Sequence, residues 1–331
     1  MLKKENILKD QLTEKEFLEQ ALLVFNFQYN FNVVYRNWVN HLSIQPKKVK
    51  LLEQIPFLPI EFFKNHEVIC GEQTPYTTCF TSSSTTSQIP SKHYVSEIDW
   101  YEESFIKSFQ LFYGHPQDYC ILALLPNYLE RTGSSLVYMC QKLMALSKHP
   151  ANGFFLHNLN DLIVTIEKLK TTDTKVLLIG VSYALIDLCE KNVFLNNNFT
   201  VMETGGMKGK RSEMLKPELH QFLKNGLKVE VINSEYGMTE LLSQAYSYKN
   251  GLFNSPPWMR FFIREVNDPL TLRNDSKTGG VNVIDLANVN SCSFIATKDL
   301  GRLHPNNQLE LMGRYDNSDV RGCNLMMEQF S

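Results

Sequence analysis

The 331-residue sequence sets 33 Lys and Arg against 35 Asp and Glu, a formal net charge of -2 at pH 7, with 43% hydrophobic and 21% charged residues. That balance excludes disorder of the whole chain and leaves no overall field to hold nucleic acid or an anionic membrane, so any bound anion must be held locally. The length predicts about two domains, or one large α/β domain with an appendage.

The opening residues, MLKKENILKD, alternate charge with aliphatics and lack the apolar segment and cleavage site of a secretory signal, so a cytoplasmic location is expected. From Thr13 to about Asn40 the apolar positions recur at helical spacing, and Thr13 with Glu16 three residues on predicts a capping box. Residues 55–63, IPFLPIEFF, place two prolines among large apolar groups and predict an extended strap, not a helix.

Beyond residue 68, short apolar runs alternate with helical stretches. Strands are expected over Tyr76 to Phe80, Tyr119 to Leu125, Lys175 to Val181, Phe199 to Glu203 and Lys228 to Asn233. Helices are expected over Glu97 to Phe112, Ser134 to Leu146, Leu159 to Leu169, Ser182 to Lys191 and Glu213 to Lys224. The alternation predicts an α/β fold, a mostly parallel sheet flanked by helices. After residue 258 helical signals fade. Arg260 to Val266, Val281 to Leu286, Cys292 to Ala296 and Leu309 to Met312 read as short strands, so a core over 1–257 and a small β-rich subdomain over 258–331 are expected. No apolar run reaches the roughly 18 residues a bilayer span requires. The seven cysteines are odd in number and widely spaced without a CxxC, which predicts reduced thiols.

Four segments carry candidate chemistry. Residues 80–92, FTSSSTTSQIPSK, follow a strand with six consecutive hydroxyl residues from Thr81 to Thr86, then Ser87 and Lys92. Converging hydroxyls, backbone N-H groups and a lysine suit a phosphate, and a solvated Ser/Thr loop has the same composition. In SEYGMTE, residues 234–240, Tyr236 suits base stacking, Gly237 close backbone approach, Thr239 a phosphate contact and Glu240 a cation; a strand-to-helix turn capped by Thr239 is the plainer alternative. TKDLG at 297–301 sets Asp299 beside a turn glycine, which suits ribose hydroxyls or an Asx turn. GRYDNSDVRG at 313–322 presents Arg314, Asp316, Asp319 and Arg321.

Taken in order, these four segments resemble the successive core motifs of adenylate-forming enzymes. Within that superfamily ETGGMKGKR at 203–211, IPFLPIEFF and SDVRGCNLM at 318–326 most resemble the acyl-protein synthetases of the LuxE type, which supply activated fatty acid to the bacterial luminescence reductase. The resemblance implies the large N-terminal domain of adenylate-forming enzymes. It also implies a two-step ligase: a carboxylic acid, of the fatty class, attacks the α-phosphate of ATP, and the acyl group of the adenylate then passes to a cysteine thiol. ATP and Mg2+ would be the cofactors, and an acyl-accepting reductase or transferase the partner protein. By motif position Ser82, Ser83, Ser84, Thr85, Thr86 and Lys92 would hold the β and γ phosphates. Gly205 and Gly206 would border the adenine with Tyr236, Gly237 would line the same site, and Thr239 would touch the α-phosphate. Glu240 would hold the magnesium, and Asp299 and Arg314 the ribose. Cys323, flanked by Arg321, would be the acyl acceptor.

The sequence departs from the family pattern in two places. Ser84 and Ser87 stand where the usual phosphate loop has glycines, and serine does not freely adopt positive φ, so the loop takes another path or ATP binding is weakened or lost. The mobile C-terminal domain that carries a catalytic lysine in most adenylate-forming enzymes is expected to be absent. Lys208, Lys210 and Arg211 are then the candidates to neutralise the transition state, with Lys208 first. Two other readings compete with the acyl-protein synthetase: a ligase that delivers its adenylate to coenzyme A, and a non-catalytic acyl-binding subunit with a degenerate phosphate loop.

Overall fold

The computed structural model describes residues 2–71, 76–83, 89–126, 133–206, 211, 214–266, 268, 270–273 and 275–314. After the short helix α1 (Lys4–Ile7), the expected N-terminal helix is two helices, α2 (Glu14–Phe31) and α3 (Val33–His41). The capping box forms as the sequence predicts: Glu16 N donates to Thr13 Oγ1 at 3.2 Å and Thr13 N to Glu16 Oε2 at 2.9 Å. The break falls at Asn32, which caps α3 by accepting from Tyr35 N and donates its amide to Ser291 O at 2.9 Å. A side chain that satisfies a buried carbonyl and a new helix N-terminus makes leaving the helix favourable there.

The proline-containing strap is extended through β1 (Leu58–Pro59), then turns into a short helix, α4 (Phe62–Asn65), at the two phenylalanines expected to stay extended. Tyr35 Oη donates to Pro56 O at 2.7 Å and Trp38 Nε1 to Phe57 O at 3.0 Å, so the strap ties α3 to the core. The next strands, β2 (Thr78–Thr81) and β3 (Lys92–Val95), pair antiparallel as a separate hairpin, so the segment expected as a strand over 76–80 lies outside the main sheet.

Then come α5 (Ile98–Tyr113), β4 (Tyr119–Leu124), α6 (Ser135–Ser147), β5 (Gly153–Phe154), α7 (Leu159–Leu169), β6 (Lys175–Val181), α8 (Ser182–Cys189), β7 (Phe199–Thr204), α9 (Lys216–Leu227) and β8 (Ile232–Tyr236). The strands of this stretch pair parallel in the order β5-β4-β6-β7-β8, and β4 is buried along its whole length, as expected of a sheet covered on both faces. The strand expected over 228–233 begins four residues later: α9 runs on to Leu227 and ends with Lys228 in the left-handed conformation at φ 58°.

At β8 the sheet changes from parallel to antiparallel. It continues through β9 (Ala245–Ser247) and β10 (Leu252–Asn254), then β11 (Met259–Arg264), β12 (Leu272–Arg273), β13 (Gly279–Asp285), β14 (Phe294–His304) and β15 (Gln308–Arg314). The full order is β12-β11-β13-β14-β15-β10-β9-β8-β7-β6-β4-β5, with β1 parallel to β14 at one side. The sheet therefore runs unbroken between the two parts expected from the sequence, because β10 of the first pairs with β15 of the second. Among the described residues no helix is long and apolar enough to cross a membrane.

Candidate active site

The switch from parallel to antiparallel pairing leaves the turn after β8 without a ladder partner. Pairing of β8 with β9 ends at Tyr236 and Ala245, and residues 237–244 must find other hydrogen bonds. No helix follows, which sets aside the alternative of a strand-to-helix turn capped by Thr239. Instead the buried Asp285 of β13 accepts from Leu242 N at 2.8 Å and from Ser243 N at 3.0 Å and holds the chain on its way into β9.

All four singled-out segments meet at this turn. Tyr236 Oη donates to Asp299 Oδ2 at 2.8 Å, and Asp299 Oδ1 lies 3.2 Å from Arg314 Nε, so β8, β14 and β15 join in one polar chain. Burial pushes the Asp299 carboxyl up, while Arg314 and the Tyr236 hydroxyl oppose the shift. TKDLG is no turn: it lies within β14, and Gly301 sits at a register shift against β15, where a Cβ would come within 2.9 Å of Glu310 O. The Arg314 side chain is 72% exposed and stays open to a ligand on its outer side.

The hydroxyl loop is brought to the same turn from the separate hairpin. Its two ends are closed reciprocally, Ser82 N to Ser91 O at 3.0 Å and Ser91 N to Ser82 Oγ at 2.9 Å. The Ser91 side chain hydrogen-bonds the carboxyl of Glu240, which is only 5% exposed and which burial holds above its ordinary range. Two residues on, His93 faces Thr239 O through Nδ1 at 2.8 Å. Burial pushes this ring down to about 4, so it is neutral at pH 7. Ser83 is exposed at the mouth of the loop. Lys92 stands on the other face of the hairpin, beside Cys79, because neighbouring strand residues point to opposite sides.

Tyr236 is 7% exposed, with its ring edge-on to Phe253 at 5.9 Å and to Phe261 at 5.8 Å. Little of the ring is open to a base, so the stacking expected of it is not what this geometry offers; its hydroxyl is engaged with Asp299 instead. Below the turn, Glu235 takes the Thr204 hydroxyl of β7 as a hydrogen-bond partner, and burial raises its carboxyl to about 7. A Cβ at Gly237 would collide with that carboxylate. On the opposite face of the sheet Glu203 receives Lys216 Nζ at 2.5 Å and lies 3.4 Å from His220 Nε2. Despite burial, those partners hold it down to about 2.

Gly205 and Gly206 follow β7 next to this turn, Gly205 at φ 67° and Gly206 with open space where a Cβ would stand. Arg211 is taken up by α8, with its guanidinium 2.5 Å from Asp187 and 2.8 Å from Glu190, which argues against it as the transition-state cation. Lys208, Lys210, Ser84, Thr85, Thr86, Ser87, Asp316, Asp319, Arg321 and Cys323 lie outside the described residues. Ser91, His93, Asn288 and Asp285 were not marked by the sequence as site residues; the only signal was the position of the first two directly behind the hydroxyl loop.

The model of the family described as acyl-protein synthetase, LuxE, matches residues 6–331. No curated protein matches the sequence. Among solved structures the chain is similar to 2-hydroxyisobutyryl-CoA ligase in an open conformation with 2-HIB-AMP and CoA: TM-score 0.67, 15% identity, 92% of this chain and 70% of that one. The same ligase in its postadenylation state with R3-HIB-AMP gives a TM-score of 0.67 at 12% identity, over 92% of this chain and 68% of that one. ATP-bound MatB from Rhodopseudomonas palustris gives 0.55 at 12% identity over 74% of this chain and 49% of that one, so the match spans about half the length of MatB. At such identities the likeness is one of fold.

Proposed function

The chain belongs to the LuxE acyl-protein synthetase family, ligases that activate an acid as its adenylate and pass the acyl group to a thiol, and on that premise we propose that the turn at 236–240 is the adenylation site, that the acid is of the fatty class, and that Cys323 is the thiol. The observation that carries the site assignment is the meeting of three remote segments at one turn: Ser91 and His93 behind the hydroxyl loop, Asp299 of β14 and Arg314 of β15.

In the first step a carboxylate oxygen of the acid attacks the α-phosphorus of ATP, and the bond to the bridging oxygen of pyrophosphate breaks. Negative charge crowds on a five-coordinate phosphorus, so donors and cations already in place are what the protein supplies. Asp299 accepts from the ribose hydroxyls, with Tyr236 fixing its orientation and Arg314 closing the same group from the outer side. The Thr239 hydroxyl donates to the α-phosphate. Gly205 and Gly206 let the backbone approach the adenine without a side chain in the way. Ser82, Ser83, Ser84, Thr85 and Thr86 hold the outer phosphates, and Lys208 is the first cation candidate in the family segment at 203–211.

Glu240 suits a magnesium ion. It is a buried carboxylate whose ionisation is disfavoured by burial and offset by a hydroxyl, and a cation would remove that penalty. Magnesium commonly uses one or two carboxylates plus water and phosphate oxygens, which a single buried carboxylate beside the phosphates would suit. When bound, the ion would neutralise charge on the outer phosphates.

In the second step the Cys323 thiolate attacks the acyl carbon, the C-S bond forms, the C-O bond to AMP breaks, and AMP leaves with the electron pair. Incubation with labelled fatty acid and ATP should leave label on the protein that hydroxylamine releases, and Cys323→Ser should carry none. Undiminished hydroxylamine-sensitive label on that variant would refute the acceptor role, and coenzyme A-dependent turnover in it would favour an acyl-CoA ligase.

A further inference from the structure

The Thr239 and Glu240 carbonyls are adjacent in the chain, belong to the turn without a ladder, and each accepts from a side chain of a different element. Thr239 O faces His93 Nδ1 of β3 at 2.8 Å, and Glu240 O accepts from Asn288 Nδ2 at 2.8 Å. The two side chains also stand against each other, His93 Nε2 lying 3.1 Å from Asn288 Oδ1; both atoms that flank the ring are acceptors, and a neutral imidazole has one N-H, which the shorter contact assigns to Nδ1 and Thr239 O. Asn288 also donates to Cys292 O at 2.9 Å, which fixes its amide with the nitrogen towards the two carbonyls and the oxygen towards the ring. Its backbone carbonyl accepts from Gln28 Nε2 of α2 at 2.9 Å, so the main chain that carries the amide is anchored as well. His93 and Asn288 are both fully buried, and Phe63 packs edge-on against the imidazole at 5.7 Å.

We infer that His93 and Asn288 form a brace that sets two consecutive peptide planes of the turn and thereby aims the Thr239 hydroxyl and the Glu240 carboxylate. Both are positioning residues, since their contacts are to the turn and not to a reactant. The inference rests on the adenylation reading for its consequence in catalysis, while the brace itself is a property of the turn. Buried carbonyls without donors are costly, so loss of the His93 N-H leaves Thr239 O either unpaired or free to rotate towards another partner. Displacement of a positioned group by about 1 Å can cost roughly a hundredfold in rate.

The test uses the full chain with His93→Phe, which keeps a ring but removes both nitrogens, and His93→Gln, which restores a donor. Two readouts are taken: amide hydrogen exchange of peptides across 236–244, and the kcat and KM of carboxylate-dependent pyrophosphate exchange. His93→Phe should speed amide exchange in 237–241 with the remaining core peptides unchanged, and lower kcat by roughly 10- to 100-fold with little change in KM for the acid. His93→Gln should recover most of both. Amide exchange in that peptide equal to wild type in His93→Phe, or faster exchange spread over the whole core in both variants, would overturn the brace. If the wild-type protein shows no pyrophosphate exchange with any acid, the adenylation reading fails, and the amide-exchange readout alone decides the brace.

Discussion

Asp299 and Arg314 are a registered pair across β14 and β15, with Oδ1 of one 3.2 Å from Nε of the other, and Tyr236 donates to the same carboxylate at 2.8 Å from β8. A buried carboxylate clasped between a hydroxyl and an exposed guanidinium where β15 ends suits a ligand diol. Asp299→Asn keeps the shape and an acceptor for Tyr236 but removes the charge. Loss of one charge-assisted contact should weaken ATP binding about tenfold or more, as read by calorimetry. An unchanged Kd would contradict the ribose role.

Gly206 gives a cleaner separation of binding from folding. A Cβ there meets nothing within 4 Å and its backbone is not left-handed, so Gly206→Ala should change stability by less than about 0.5 kcal/mol. If the nucleotide base packs against this backbone, the same methyl should still weaken ATP binding. Equal affinity in the variant would place the adenine elsewhere.

Gly301 is the opposite case. A Cβ would stand 2.8 Å from Leu309 Cδ1 and Val281 Cγ2 and 2.9 Å from Glu310 O, within the paired strands that carry Asp299 and Arg314. Gly301→Ala should destabilise by about 1–3 kcal/mol through overpacking and weaken ATP binding as the pair is displaced. Denaturant unfolding checks the first, and a variant as stable as wild type would contradict the observed packing.

Glu235 should leave a mark on stability against pH. Its carboxyl titrates near the ordinary value of 4.5 when unfolded and is raised to about 7 in the fold, mainly by burial, with the Thr204 bond and Lys216 opposing and Glu203 adding to the shift. The folded state thus holds an extra proton between those values. This contribution is full below about pH 4.5, declines as pH rises, and is lost above about pH 7, a difference of up to about 3 kcal/mol. Glu203, held at about 2, acts in the reverse sense: its contribution is present above about pH 4.5 and lost as pH falls towards 2. Glu235→Gln should flatten the decline between about pH 4.5 and pH 7 and leave the acid limb. Denaturant midpoints across that range check it, and an unaltered slope would contradict a buried neutral carboxyl.

Much of the fold was legible because the relevant signals are local. β6 coincides residue for residue with its expected apolar run, and α7 with its expected helix, since continuous aliphatics and 3.6-residue spacing need no distant partner. β8 was placed too early because its buried residues include Asn233, Ser234 and Glu235, which are tolerated inside only through Tyr113, Val201, His220 and Thr204 on other elements. β3 was missed because its three buried residues follow a polar loop and pair only with β2. In the site, Tyr236, Glu240, Asp299 and Arg314 were legible by motif order. His93 and Asn288 were not, because each acts across 146 or 195 residues of sequence and neither belongs to a recognisable string.

The account stands most directly on acid-dependent exchange of labelled pyrophosphate into ATP, measured across a series of aliphatic and aromatic acids. The expected result is exchange that requires an acid, favours long aliphatic chains, survives in Cys323→Ser because adenylation precedes transfer, and falls sharply in Asp299→Asn. Absence of exchange with every acid, from protein that calorimetry shows does not bind ATP with magnesium, would contradict it and leave a fold that binds acyl groups without activating them.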